Sequence, residues 1–159
     1  MSKLKRLFQN SLKLDLDQIV FEIYQDKEVQ EFILDLNRKD QLFERGIDSL
    51  GKELDGYSPN TETRLNADRA NLFRYKGSVK KKIAGEPAFL FDEGEFYESF
   101  KLVVKKGFAV IEADPIREET DLFEVYGDDI VGLTPESVVK LAEFVLPRLR
   151  KKTLERITK

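Results

Sequence analysis

The carboxylates have the strongest claim to chemistry in this chain. Asp92, Glu93, Glu95, Glu98, Glu112 and Asp114 fall within a short stretch, and the pair Asp128–Asp129 follows. Oxygen-rich sets of this kind suit a hard cation such as Mg²⁺ or Ca²⁺. The spacing argues against one: no Asp-x-Asp-x-Asp-Gly calcium loop occurs. A carboxylate-plus-lysine nuclease wants Glu-x-Lys on a strand, and Glu112 is followed by Ala113 and Asp114. There is no His and no Cys among the 159 residues. Their lack excludes Ser–His–Asp catalysis, imidazole and thiolate metal sites, thiol nucleophiles and disulfides. Clustered titratable residues are more often solvated faces than sites. The expectation is a chain that is not an enzyme and holds no metal or cofactor.

Two basic sets have the second claim. Lys76, Lys80, Lys81 and Lys82 lie close together, and Tyr75 beside them is placed to stack on a base. The tail from 148 to 159 carries Arg148, Arg150, Lys151, Lys152, Arg156 and Lys159 against Glu155 alone. Either set suits nucleic-acid phosphates, so a DNA-binding or packaging accessory is the alternative function, and a carboxylate-metal nuclease a more distant one. Yet the net charge is only −3, which gives no global case for nucleic acid. The segment 111–136 carries nine acids, among them Glu118, Glu119, Asp121, Glu124, Asp128 and Asp129, against the single base Arg117. An acidic block and a basic block in one chain are what head-to-tail self-association needs.

The elements that position these residues read as helix, then strand and turn, then helix. Leu16, Ile19, Val20 and Ile23 follow helical spacing, and Val29, Phe32, Ile33 and Leu36 do so again. The phase break between them implies either two helices with a joint near Gln25–Asp26 or one helix whose wet face rotates. Residues 1–14 form an arm or short helix, with Lys3, Leu4, Leu7, Phe8 and Leu12 in it. From 46 to 115 glycines punctuate short segments. Residues 100–104 and 108–111 flank Lys105-Lys106-Gly107 as a hairpin, and Asp114-Pro115 ends it. Phe96 and Phe100, four apart beyond Asp92-Glu93-Gly94, read as aromatic core anchors on a turn. Residues 60–87 read as an extended basic loop, a length that is usually functional or ordered by a partner. Thr134-Pro135-Glu136 is a helix start. Val138, Leu141, Ala142, Val145 and Leu149 are its inner stripe, with Pro147 expected to kink or split it. The fold class is α+β in a single domain. Terminal helices pack on a small, mostly antiparallel sheet from residues near 42–48, 53–57, 97–105 and 108–114. No apolar run spans a membrane. The start has no unbroken apolar stretch, so a chain made and kept in a cytoplasm is expected.

The order of motifs resembles the tail-completion, or virion-morphogenesis, proteins of tailed bacteriophages. The pieces are Ile47-Asp48-Ser49-Leu50-Gly51 and a short strand, then Tyr57-Ser58-Pro59-Asn60-Thr61. A basic loop with Arg64, Arg69, Arg74, Lys76, Lys80, Lys81 and Lys82 follows. Then come Leu90 to Phe100, with Gly94, Phe96, Ser99 and Phe100 in matching places, the hairpin, Tyr126-Gly127 after an acid, and a helix from 133 to 157. The His that often precedes the aromatic-Gly step is missing, and the family's Pro-x-Arg-Pro-Phe run is reduced to Gly132-Leu133-Thr134-Pro135-Glu136-Ser137. The resemblance implies a structural virion protein. It would form a ring of about six or twelve copies at the neck, joining the portal or connector to the tail terminator or tube, with DNA only passing through. On that footing Glu118 to Asp129 should face Arg148 to Lys152 of the next copy, and the 60–87 loop should order against a partner.

Overall fold

A computed structural model describes residues 3–57 and 72–159. The chain begins with helix α1 (Lys3–Leu12), α2 (Leu16–Tyr24) and α3 (Lys27–Asp35). Asp15 caps α2 by accepting the Gln18 amide, and Asp26 caps α3 by accepting that of Glu28, each satisfying a first-turn N–H. The phase break is thus two helices, with the joint between α2 and α3 at Gln25–Asp26.

From α3 the chain runs without interruption into a π-helix, Leu36–Arg45. Its wider turn buries a broad face: Leu36, Asn37, Arg38, Gln41, Leu42 and Phe43 are all inside. Gly46, at φ +61, ends it. A Cβ there would stand 2.7 Å from the Pro87 Cβ and 2.8 Å from the Ala88 carbonyl oxygen, so only glycine fits the turn and the close approach together.

Among the described residues the strands make three separate antiparallel hairpins, not one sheet: β1 (Phe73–Tyr75) with β2 (Ser78–Lys80), β3 (Lys101–Lys105) with β4 (Phe108–Glu112), and β5 (Ile116–Arg117) with β6 (Thr120–Asp121). The β3–β4 register pairs Lys105 with Phe108 across Lys106-Gly107: the hairpin stands where it is expected, but Lys105, read as part of the turn, is the last residue of β3. Expected strands near 42–48 and 53–57 reduce to single bridges, Ile47 with Glu53, Gly56 with Pro87 and Tyr57 with Ala84. The reason is local. Buried Asp48 accepts the amides of Leu50 and Lys52, closing 48–52 on itself. Residues 97–100 are likewise not strand. Glu95–Glu98 is a helical turn, α4, and the Ser99 hydroxyl donates back to the Phe96 carbonyl.

The expected 60–87 loop is interrupted by a hairpin in its described part. Residues 58–71, including Ser58, Pro59, Arg64 and Arg69, lie outside the described residues, but 73–80 is the β1–β2 hairpin. Phe73 and Tyr75 carry it onto the core, where Tyr75 meets Phe43, Phe91 and Tyr97 edge-on or tilted. That apolar anchorage orders this half of the segment within its own chain.

After β6 come the short helix α5 (Leu122–Tyr126), a 3₁₀ turn (Asp128–Ile130) and the long helix α6 (Pro135–Thr158). Thr134 caps α6 through the Ser137 amide, with Pro135 at its first position. The helix passes Pro147 without splitting. The Arg148 guanidinium takes up the nearby Phe144 carbonyl at 3.0 Å. The buried stripe is rotated from the predicted one. Val138 and Ala142 are exposed, while Ser137 is buried and Phe144 stacks on Phe32 with centroids 3.9 Å apart. Two apolar clusters result. One joins α2, α3 and α6 through Ile19, Ile23, Val29, Ile33 and Val145. The other gathers Leu42, Phe43, Phe89, Phe96, Tyr97, Phe100 and Ile130. Leu102 and Ile111 of the β3–β4 hairpin pack against both. No helix among the described residues is long and apolar enough to cross a membrane.

Candidate functional site

The motif residues prove to be mostly scaffold. Gly51 ends the Asp48 loop at φ +80, and Ser49 in that loop donates its amide to the Asp129 carbonyl at 2.8 Å. The Tyr57 hydroxyl accepts the Phe89 amide at 3.0 Å, and burial drives its phenol far up from the usual value. Gly94, at φ +97, opens α4. Phe96 and Phe100 are buried and meet edge-on, 5.0 Å apart. The Ser99 hydroxyl accepts the Asp114 amide at 3.0 Å, tying the α4 turn to the end of the β3–β4 hairpin. Tyr126 is half-buried, which raises its phenol, and Gly127 follows at φ +86.

The carboxylates do not converge: among the described residues no three of them form a metal-sized group. Asp92 pairs with Lys82, Glu112 pairs with Lys101 across β3–β4, and Asp114 accepts the Ile116 amide.

The basic segment is engaged by its own chain. Lys76, on the β1–β2 turn, reaches Glu31 at 2.6 Å and Asp35 at 2.5 Å, and Arg38 bonds the same two acids while donating to the Tyr97 carbonyl. The Lys76 bond holds the Glu31 carboxyl below the ordinary range. Burial works against the charge of Lys76, but the Asp35 and Glu31 bonds outweigh it and raise its pKa. Lys80 donates to the Glu44 carbonyl at 2.9 Å. Lys82 is buried over the Phe73 ring, 4.5 Å from its centroid, and burial lowers its pKa. Arg74 and Lys81 alone of the described members of this set point to solvent without an ion pair.

The C-terminal cations divide in the same way. Arg148 bonds Glu28 at 2.8 Å, Lys152 bonds Glu22 at 3.3 Å and Arg156 bonds Glu22 at 2.6 Å, clasping α6 to α2 and α3. The expected pairing of Arg148 to Lys152 with a neighbour's acids therefore loses Arg148 and Lys152. Their partners, Glu28 and Glu22, are acids of the N-terminal helices. Arg150 and Lys151 are exposed and carry no ion pair among the described residues.

The acidic block stays open. Asp121 caps α5 through the Phe123 and Glu124 amides. Glu118 sits at φ +49 on the β5–β6 turn. Glu118, Glu119, Glu124, Asp128 and Asp129 are all exposed, and no cation pairs with them among the described residues. Arg117, the one base in the block, turns inward over the Phe96 ring at 5.5 Å. The outcome is an anionic surface with no ion-paired cation among the described residues. No protein-family model matches the chain, and comparison with curated proteins and with solved structures finds no match.

Proposed function

We propose that the chain is a structural virion protein of a tailed phage, assembling as a ring at the head–tail neck or the top of the tail. The observation that carries the reading is the open acidic face at 118–129, where Glu118, Glu119, Glu124, Asp128 and Asp129 are exposed and no cation pairs with them among the described residues. Unmatched like charge disfavours the free monomer face and favours a complementary neighbour. The motif order read from the sequence supplies the kind of assembly. The nucleic-acid alternative is weakened by the engagement of Lys76, Lys80 and Lys82 within the chain, since phosphate binding needs those cations free.

The direct test is an antibody blot of density-banded particles from the source culture. Signal in intact particles, enriched in the neck or tail fraction after head disruption, is the expected result. Protein left wholly in the soluble lysate sinks the reading. A gel shift at two salt concentrations then decides the alternative, which requires affinity that falls steeply with salt.

A further inference from the structure

An unpartnered helix stripe and an unfilled groove occur together in this molecule. Helix α1 rests on α6 through its Leu7 side, and the Asn10 amide donates to the Ile157 carbonyl at 2.9 Å. Helix α1 buries no residue fully. Leu4, Phe8 and Leu12, four apart, form a second stripe along it and are 77%, 62% and 71% exposed. Three large apolar side chains in register on one helix face are the anchor pattern of a helix that fills a groove. Residues 3–13 also carry Lys3, Lys5, Arg6 and Lys13 and no acid.

The groove, of about 620 Å³, lies between α2, β4 and the start of α6, and Phe21, Val110, Leu133 and Leu141 are among its walls. Among the described residues, strand β4 pairs only with β3. Phe108 and Val110 on it are 54% and 44% exposed. The acidic segment leaves this groove at Ile111 and rejoins it at Val131. Exposed Asp129 therefore stands two residues from a groove wall, and the rest of the unmatched block precedes it in the chain. The helix that carries the stripe is cationic; the groove's walls are mostly apolar, with Asp17 and Lys105 among them and Asp129 nearby in the chain.

In its own copy the stripe is not seated in the groove: no residue of α1 is among the groove's walls, and the Asn10–Ile157 bond holds α1 on α6. We infer that α1 of one copy docks through Leu4, Phe8 and Leu12 into the α2–β4–α6 groove of a second copy of this chain, with its cations on the acidic block. Stripe and groove are different surfaces, so the contact is heterologous and propagates from copy to copy until it closes as a ring. This deepens the ring reading and rests on it for the closed product; it supplies the basic partner that Arg148 and Lys152 do not.

The test uses the full chain. Light scattering on eluting protein should give a mass above the monomer that falls as salt rises. Phe8→Glu and Val110→Lys should each return it to the monomer with an unchanged far-UV spectrum, because neither side chain is buried. The chain has no cysteine, so Phe8→Cys mixed with Val110→Cys should form a disulfide-linked heterodimer on mild oxidation. A wild-type protein that stays monomeric overturns the inference, as does assembly that survives both charged variants. The particle blot fails separately. Multimers sensitive to Phe8→Glu in a protein missing from particles would leave this contact standing and remove the neck reading.

Discussion

Asn37 and Gln41 are fully buried on the π-helix. The Asn37 side chain donates to the Ile130 carbonyl at 3.1 Å and accepts the Gly132 amide at 2.9 Å. Gln41 donates to the Gly132 carbonyl and accepts the Thr134 amide, both at 2.9 Å. Two side chains thus satisfy four backbone groups of the segment that links the acidic block to α6. Replacing Asn37 by Leu, or Gln41 by Met, keeps the bulk and strands two backbone groups each time. A stranded buried group costs about 1–3 kcal/mol. The groups on Ile130 and Thr134 are fully enclosed, while those on Gly132 are partly open to water, so each variant should lose about 2–4 kcal/mol. For a chain of this size that is a fall in Tm of about 6–12 °C. In urea the midpoint should drop with the slope unchanged. Both amides bond Gly132, so the double variant should lose less than the sum. A loss below about 0.5 kcal/mol in both single variants would mean that water replaces the amides without penalty, and the argument for a sealed network would be wrong.

Gly46→Ala should cost about 2–4 kcal/mol in chemical denaturation, from the positive φ and from the contacts a Cβ would make with Pro87 and Ala88. Pro147→Ala should raise stability by about 1–3 kcal/mol in a thermal melt, because the helix already runs through this exposed position and regains an amide donor. Asp15, Glu22, Glu31 and Glu136 all have carboxyls held below their ordinary values, chiefly by bonds from Lys106, Arg156, Lys76 and Lys140 respectively. A depressed carboxylate contributes stability that is present above its unfolded pKa and lost as pH falls through the folded one. Tm should therefore hold from about pH 5 upward and decline below about pH 4. Glu31→Gln should make that decline shallower; an identical acid limb in the variant would refute the role given to the Lys76 bond.

What the residues determine alone is whatever depends on near neighbours in the chain. The break at Gln25–Asp26, the Lys106-Gly107 turn, the Thr134-Pro135 helix start and the α+β class are legible because capping, turn chemistry and hydrophobic period act over a few residues. So is the segregation of charge into acidic and basic blocks. Tertiary structure decides which charges meet. Arg148, Lys152 and Lys76 find acids 120, 130 and 41–45 residues away, and no spacing rule reaches across such separations. It also decides that Asn37 and Gln41, polar residues on a helix, face inward, since only the arrival of 130–134 gives them partners. The π-helix in place of a strand near 42–48 has the same origin, because a wider turn is worthwhile only when other elements cover the broad face it buries. The groove beside β4 likewise exists only once α2, the hairpin and α6 are assembled. The stripe that fits it, Leu4, Phe8 and Leu12, is plain in the sequence, where four-residue spacing marks a helix face but not whether that face is covered.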